Sequence, residues 1–387
     1  MAQKSIRREK GTGNIYQRSN GSWVGRLNIG IKPDGSPKIK CFSGKTESEV
    51  KRKIREYNVG GFGIESSKIS LGTYLTNWLK IYKKDTLKPS SYDRLENTIN
   101  HQIIPNIGMI QLNQLTSTDI QKLLSKLKTQ GLSYSTVKKT HDCLHNALNH
   151  AVINGDIAKD PMLLVKMPEK KLFTQKPVRF FSKEEVSLIL EECDRKYNTG
   201  APVYIYGDAF VLMLNTGIRI GELIGLKKED WNREEKTLSI KRNVQMVKER
   251  DADGDVTSRY IAISNSTKTY SGVRSIPLNE RATQALENLC KQHPTKEPIV
   301  CTSLGTPVPP DRIERTFYRI LKNVGISQTG THTLRHTFAS MLFSAGVDIK
   351  TVSQILGHAS IQITLNTYIH LIDRADHTAV EKLDKLF

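Results

Sequence analysis

Apolar residues near the start of this chain repeat with period two, and from residue 47 onward most of them repeat at helical spacing. A small sheet must therefore precede a mainly helical body. Asn20-Gly21 is a tight-turn signal. After it Trp23, Leu27, Ile29 and Ile31 alternate onto one face, with Arg26, Asn28 and Lys32 on the other. Residues 32–37 make a second turn and residues 38–42 a third strand. The stretch TESEVKRKIREY then predicts a helix, with Thr46 and Glu49 at capping-box spacing and Val50, Ile54 and Tyr57 as its buried stripe. Residues 1–60 thus predict a three-stranded sheet backed by one helix. Arg26, Lys32, Lys38 and Lys40 are its candidate nucleic-acid contacts, and Lys51, Arg52, Lys53 and Arg55 are left for solvent or phosphate.

The Gly- and Ser-rich residues 58–68 read as a linker. A helical bundle follows over residues 69–168. Leu71, Leu75, Trp78, Leu79 and Tyr82 mark its first helix, and three more end near residues 105, 131 and 155. A basic, Pro-containing connector leads to a third segment, residues 176–387, which opens on a second capping box, Ser182 to Glu185. That segment reads as mainly α with a small sheet, its strand-like runs being TLSIKRNVQMV, YIAIS and VRSIPL. The expected fold is therefore multidomain and mainly α, with a small β-sheet in the first and third domains.

The 58 Lys and Arg against 39 acidic residues give a formal charge of +19, which points to a polyanionic partner, nucleic acid first. Residues 1–60 alone hold 14 basic and 5 acidic residues, the composition of a binding module. Five scattered cysteines without a C-x-x-C pair favour a reducing cytosol over a disulfide framework. No apolar run reaches membrane-spanning length, and no apolar segment follows the basic N-terminus as a signal peptide requires.

Two apparent motifs fail on inspection. SGKTE, residues 43–47, resembles the end of a phosphate-binding loop, but Ile39 stands where its first glycine belongs. His141 and His145 in HDCLH have the spacing of a zinc helix, but Asp142 replaces the required glutamate and no third ligand stands out.

The third segment holds a more coherent set. LNTGIRIGELIGL places Arg219 and Glu222 three apart amid apolar residues, either a structural ion pair or part of a site. STKTYSGVRSIPL puts Lys268 in a turn between strands, where a lysine alone is commonly just solvated. THTLRHTFASML begins an otherwise apolar helix with His332, Arg335 and His336. His358 follows the helix-stop pair Leu356-Gly357, as a cap or a ligand, and Tyr368 follows ten residues later, as core or as nucleophile. Taken together, two arginines can clamp a phosphate bidentately and stay charged. A lysine and two histidines can move protons, and a tyrosine can attack. The set suits phosphoryl transfer in which side chains, not Mg²⁺, stabilise the transition state.

The order Arg219, Lys268, His332-x-x-Arg335, His358, Tyr368 resembles the tyrosine recombinase (phage-type integrase) family, with its T-G-x-R, H-x-L-R-H and L-G-H motifs intact. The first two segments look like that family's arm-site-binding and helical core-binding domains. The resemblance implies a site-specific recombinase in which Tyr368 attacks a DNA phosphodiester, forms a 3′-phosphotyrosyl link and releases a 5′-hydroxyl. Arg219 and Arg335 would bind the scissile phosphate, Lys268 would protonate the leaving oxygen, His332 would help deprotonate the tyrosine, and His358 would hydrogen-bond the phosphate. Glu222 would orient Arg219. No metal, ATP or other cofactor would be needed.

The implied partners are double-stranded DNA, three further copies of the chain in a synaptic tetramer, and DNA-bending or excision factors. The implied setting is the cytoplasm of a bacterial host, at the nucleoid when active. The amphipathic residues after Tyr368, with Leu371, Val380, Leu383 and Leu386 available for burial, read as a segment exchanged between protomers. The rival readings are a type IB-like topoisomerase, a dimer resolvase built from the last two segments alone, and a non-catalytic DNA-binding regulator.

Overall fold

The computed structural model describes residues 14–31, 36–60, 69–174, 177–251, 254–266 and 273–372. The chain divides into two compact units, Met1–Gln175 and Lys176–Phe387.

The first unit begins with the antiparallel sheet β1 (Asn14–Gln17), β2 (Trp23–Ile31) and β3 (Pro37–Gly44), in that order. Helix α1 (Glu47–Gly60) covers one face through Val50 and Ile54, both fully buried. Gly25 allows this close approach, since a Cβ there would lie 2.6 Å from Ile54 Cδ1. A register shift between Asn28 and Ile31 interrupts the alternation read from the sequence. Helix α1 also runs through residues 58–60, which the sequence reading gave to the linker.

The bundle comprises α2 (Leu71–Trp78), α3 (Pro89–Thr98), the short α4 (Ile104–Ile107), α5 (Ser117–Thr129) and α6 (Tyr134–Ile153). Ser70, Thr116 and Ser133 cap α2, α5 and α6 through their hydroxyls. Tyr82, the last of the residues that mark the first helix in the sequence, is helical and exposed. A π-helical turn over Leu79–Lys83 carries the helix past the 3.6 period at this point. Phe173 joins the bundle core beyond the expected boundary at residue 168, edge-on to Tyr134 at 5.4 Å.

The second unit is built around α8 (Gly207–Thr216), which is buried almost all round, as its apolar run from Ala209 to Leu214 requires. It packs against α7 (Lys183–Cys193), α10 (Glu280–Gln292) and α12 (His332–Ser344). Helices α9 (Ile220–Ile224), α11 (Pro310–Asn323), α13 (Ile349–Leu356) and α14 (Ile361–Ile372) complete the helical set. The strands are β4 (Trp231–Asn232), β5 (Thr237–Ile240), β6 (Arg242–Arg250), β7 (Val256–Ser266) and β8 (Arg274–Pro277). They form a three-stranded sheet ordered β4-β5-β8 and a β6-β7 hairpin. The long strand-like run TLSIKRNVQMV is thus two strands. No helix among the described residues is long and apolar enough to cross a membrane.

Candidate active site

The site forms where two left-handed turns meet the start of α12. The first ends α8 at Gly217, whose φ is +65°. A Cβ there would lie 2.5 Å from Phe338 Cδ1 and 2.9 Å from Leu356 Cδ2, so both conformation and space demand glycine. The turn delivers Arg219 as the N-cap of α9. Its amide donates to Glu222 Oε2 (2.9 Å) and its Nη1 to Glu222 Oε1 (2.9 Å). The Arg219 side chain keeps 35% of its surface exposed, whereas Glu222 keeps 4%.

Arg335, in the second turn of α12, is only 2% exposed. Its Nη1 donates to the Gly217 carbonyl and its Nη2 to the Leu356 carbonyl, each at 2.7 Å. These carbonyls end α8 and α13, where the helix dipoles favour a cation. Two of the five guanidinium donors are thereby used, and three remain for a ligand. Burial and nearby Arg219 push the Arg335 pKa down to about 9, and it stays charged at neutral pH.

The second left-handed turn ends α13 at Gly357, also at φ +65°, and a Cβ there would lie 2.9 Å from Arg274 Nη1. Arg274 on β8 grips Glu222 with both Nη atoms (3.1 and 2.8 Å) and donates from Nε to the Ile355 carbonyl (2.7 Å). Glu222 is buried, yet Arg274 and then Arg219 hold its carboxyl down to about 2. Arg219 and Arg274 both bond this one carboxylate, and Arg335 lies close enough for their charges to lower its own pKa. A cluster of arginines of this kind favours an anionic ligand.

His358 follows the Gly357 turn, and its Nδ1 lies 2.7 Å from Thr364 Oγ1. Burial, then Arg335, Arg219 and Arg274, lower its pKa to about 4. His332 is exposed at the start of α12, and dense surroundings together with Arg335 and Arg219 lower its pKa as well. Tyr368 on α14 is 1% exposed, packed with Ala339, Val352, Leu356 and Phe343. Its hydroxyl lies 2.8 Å from Nδ1 of His336. Burial raises the phenol to about 12 against the opposing pull of Arg335. At neutral pH this is a protonated tyrosine beside neutral histidines and permanent cations.

The structure therefore brings Arg219, Glu222, His332, Arg335, His358 and Tyr368 to one locality. Lys268 lies outside the described residues. Two neighbours had no role in the sequence reading. Arg274 stands in an apolar strand run, where a buried arginine implies a partner. His336 stands one helical turn after His332, in the very stretch that carries the motif.

Of the N-terminal candidates, Arg26 is exposed and lies over the Tyr16 ring at 5.6 Å. Lys40 pairs across the sheet with Leu27 and Arg26 with Cys41, so these two lie on opposite faces. Lys32 and the Lys38 side chain are outside the described residues, as are Val380, Leu383, Leu386 and the Leu371 side chain.

The phage integrase family profile matches residues 179–374, and the profile of the phage integrase N-terminal SAM-like domain matches residues 70–128. The chain is 30% identical to a XerC-like tyrosine recombinase of Caldanaerobacter subterraneus, over 95% of this chain and 97% of that one. Its fold is similar to that of the Tn1549 transposon integrase, solved with circular-intermediate DNA (TM-score 0.64, 22% identity, 81% of this chain and 99% of that one). It is also similar to a lambda integrase dimer bound to a core site (TM-score 0.56, 18% identity, 94% of this chain and 96% of that one). With a family profile spanning half its length around these turns, and a relative aligned almost end to end, this chain belongs to the phage integrase family of tyrosine recombinases.

Proposed function

We propose that this protein is a site-specific DNA recombinase that cuts and rejoins DNA through a 3′-phosphotyrosyl intermediate, integrating or excising a mobile element. The observation that carries this reading is a buried tyrosine whose hydroxyl meets a histidine, in one locality with Arg219, Arg335 and His358. In this scheme Arg219 and Arg335 hold the scissile phosphate, and their charges oppose the negative charge that grows on its oxygens. Tyr368 attacks the phosphorus, the bond to the 5′ oxygen breaks, and Lys268 protonates the leaving oxygen. His358 hydrogen-bonds the phosphate from Nε2, which requires the Thr364 hydroxyl to donate to Nδ1. Glu222 and Arg274 hold Arg219 and the Gly357 turn in place. The phosphotyrosyl ester keeps the energy of the broken bond, so rejoining draws on no ATP.

The same reading gives the domains their work. Residues 1–60 bind arm sites, residues 69–168 bind the core site, and residues 176–387 perform the chemistry. Double-stranded DNA is the substrate, four copies assemble on it, and the segment after Tyr368 passes between protomers. DNA-bending or excision factors choose the direction, and the reaction runs in a bacterial cytoplasm at the nucleoid. Solved relatives are a tetramer bound to a Holliday junction, for lambda integrase, and the Tn1549 integrase bound to DNA.

The test is covalent trapping without metal or ATP, on DNA carrying the sequences that flank the gene. The wild type should give a denaturation-resistant protein–DNA adduct, and Tyr368→Phe should bind the same DNA and give none. Occupied DNA without any adduct would favour the regulator. Relaxation of supercoils by single protomers, without strand exchange, would favour the topoisomerase.

A further inference from the structure

We propose that His336 accepts the proton of Tyr368 as it attacks, the role that the family resemblance gives to His332; this proposal rests on the recombinase reading above. The two histidines are one turn apart on α12, with ring centroids 5.7 Å apart. Only His336 reaches the phenol, with Nδ1 at 2.8 Å from the hydroxyl oxygen and the rings inclined at 64°. Phe343 also packs against the tyrosine, at 5.5 Å between centroids. His332 is exposed at the start of the same helix.

In the proposed step Tyr368 Oη bonds to phosphorus, its proton passes to His336 Nδ1, and the bond from phosphorus to the 5′ oxygen breaks. That oxygen takes a proton from the general acid assigned to Lys268. On rejoining, the 5′-hydroxyl attacks and returns its proton to Lys268, while the proton on His336 returns to the departing tyrosine. Acceptance at Nδ1 requires the neutral ring to carry its hydrogen on Nε2.

The groups that face His336 keep it in that neutral form. His332 and Arg335 stand on its own helix, Tyr368 faces it from α14, and His358 acts on it from the turn after α13. Burial, His332 and Arg335 lower its pKa to about 4, so at neutral pH it is a base with room for a proton. A bound phosphodiester brings negative charge beside the imidazolium that forms, which stabilises it.

A role in which His336 only holds the resting tyrosine in place makes a different prediction. Glutamine can accept the phenol's hydrogen bond through Oε1 but cannot take its proton. His336→Gln in the full chain should therefore bind DNA as tightly as the wild type and form the Tyr368 adduct about 100-fold more slowly in single turnover at neutral pH. Its rate should climb steadily with pH as hydroxide replaces the missing base. A substrate with sulfur in place of the bridging 5′ oxygen needs no general acid, so it should not restore the variant.

An adduct rate within about threefold of wild type, or recovery on the sulfur substrate, would overturn the proposal alone. Absence of any Tyr368 adduct in the wild type would overturn the recombinase reading and this proposal with it. A measurement that needs no variant is the nitrogen resonance pattern of histidine-labelled full-length protein. His336 should show an unprotonated Nδ1, and a hydrogen on Nδ1 would overturn the assignment.

Discussion

Arg219 and Arg335 carry the same charge toward the same pocket, but they differ in what else depends on them. Arg335 satisfies the carbonyls that end α8 and α13, at 2.7 Å each. Arg219 bonds a carboxylate that its own amide and Arg274 also hold, and it is a third exposed. Arg219→Lys should leave the urea-unfolding midpoint unchanged while slowing adduct formation about 100- to 1,000-fold, because an ammonium cannot reproduce a bidentate clamp. Arg335→Met should lose cleavage and also about 2–5 kcal/mol of stability, because it strands two buried carbonyls. Equal stability of the two variants in urea titrations would contradict this division of labour.

At the scale of elements, the site is a junction held by turns. Gly217 and Gly357 each end a helix in the left-handed region, and Arg335 and Arg274 reach back to the carbonyls those helix ends expose. The junction should be acid-sensitive. Glu222 has a depressed pKa, about 2 against an ordinary 4.5, so its contribution is present above pH 4.5 and is lost as pH falls toward 2. His336 and His358, at about 4 against 6.5, are neutral in the fold and take up protons more readily when unfolded. Their contribution is complete above pH 6.5 and is lost between 6.5 and 4. Thermal unfolding should therefore fall in two stages on acidification. The double variant His336→Gln, His358→Gln should flatten the first stage only, and an unchanged first stage would refute the account.

What could be read in advance follows the range of the interactions. The helix-stop glycines, the caps at Thr46 and Ser182 and the i,i+3 pair of Arg219 with Glu222 are local patterns, and each stands in the structure. Arg274 with Glu222 and His336 with Tyr368 join residues 52 and 32 positions apart, and no local period announces such pairs.

At the scale of the whole molecule, a net charge of +19 and a separate basic sheet-and-helix module fit a protein that holds DNA at more than one place. The proposed exchange of the C-terminal segment adds coupling between copies. Ending the chain after Asp373 should leave DNA binding and the resting contact of Tyr368 intact while reducing recombination on paired sites at least about tenfold. Unchanged recombination by the truncated protein would remove that segment from assembly.

The central claim is that Tyr368 becomes covalently joined to DNA. Trypsin cutting after Lys350 and Arg374 releases a peptide in which Tyr368 is the sole tyrosine. Mass spectrometry of the trapped complex, after nuclease digestion, should find a nucleotide joined through its 3′ phosphate to that tyrosine. A nucleotide on any other residue, or an unmodified 351–374 peptide from a complex that has cleaved its DNA, would contradict the account.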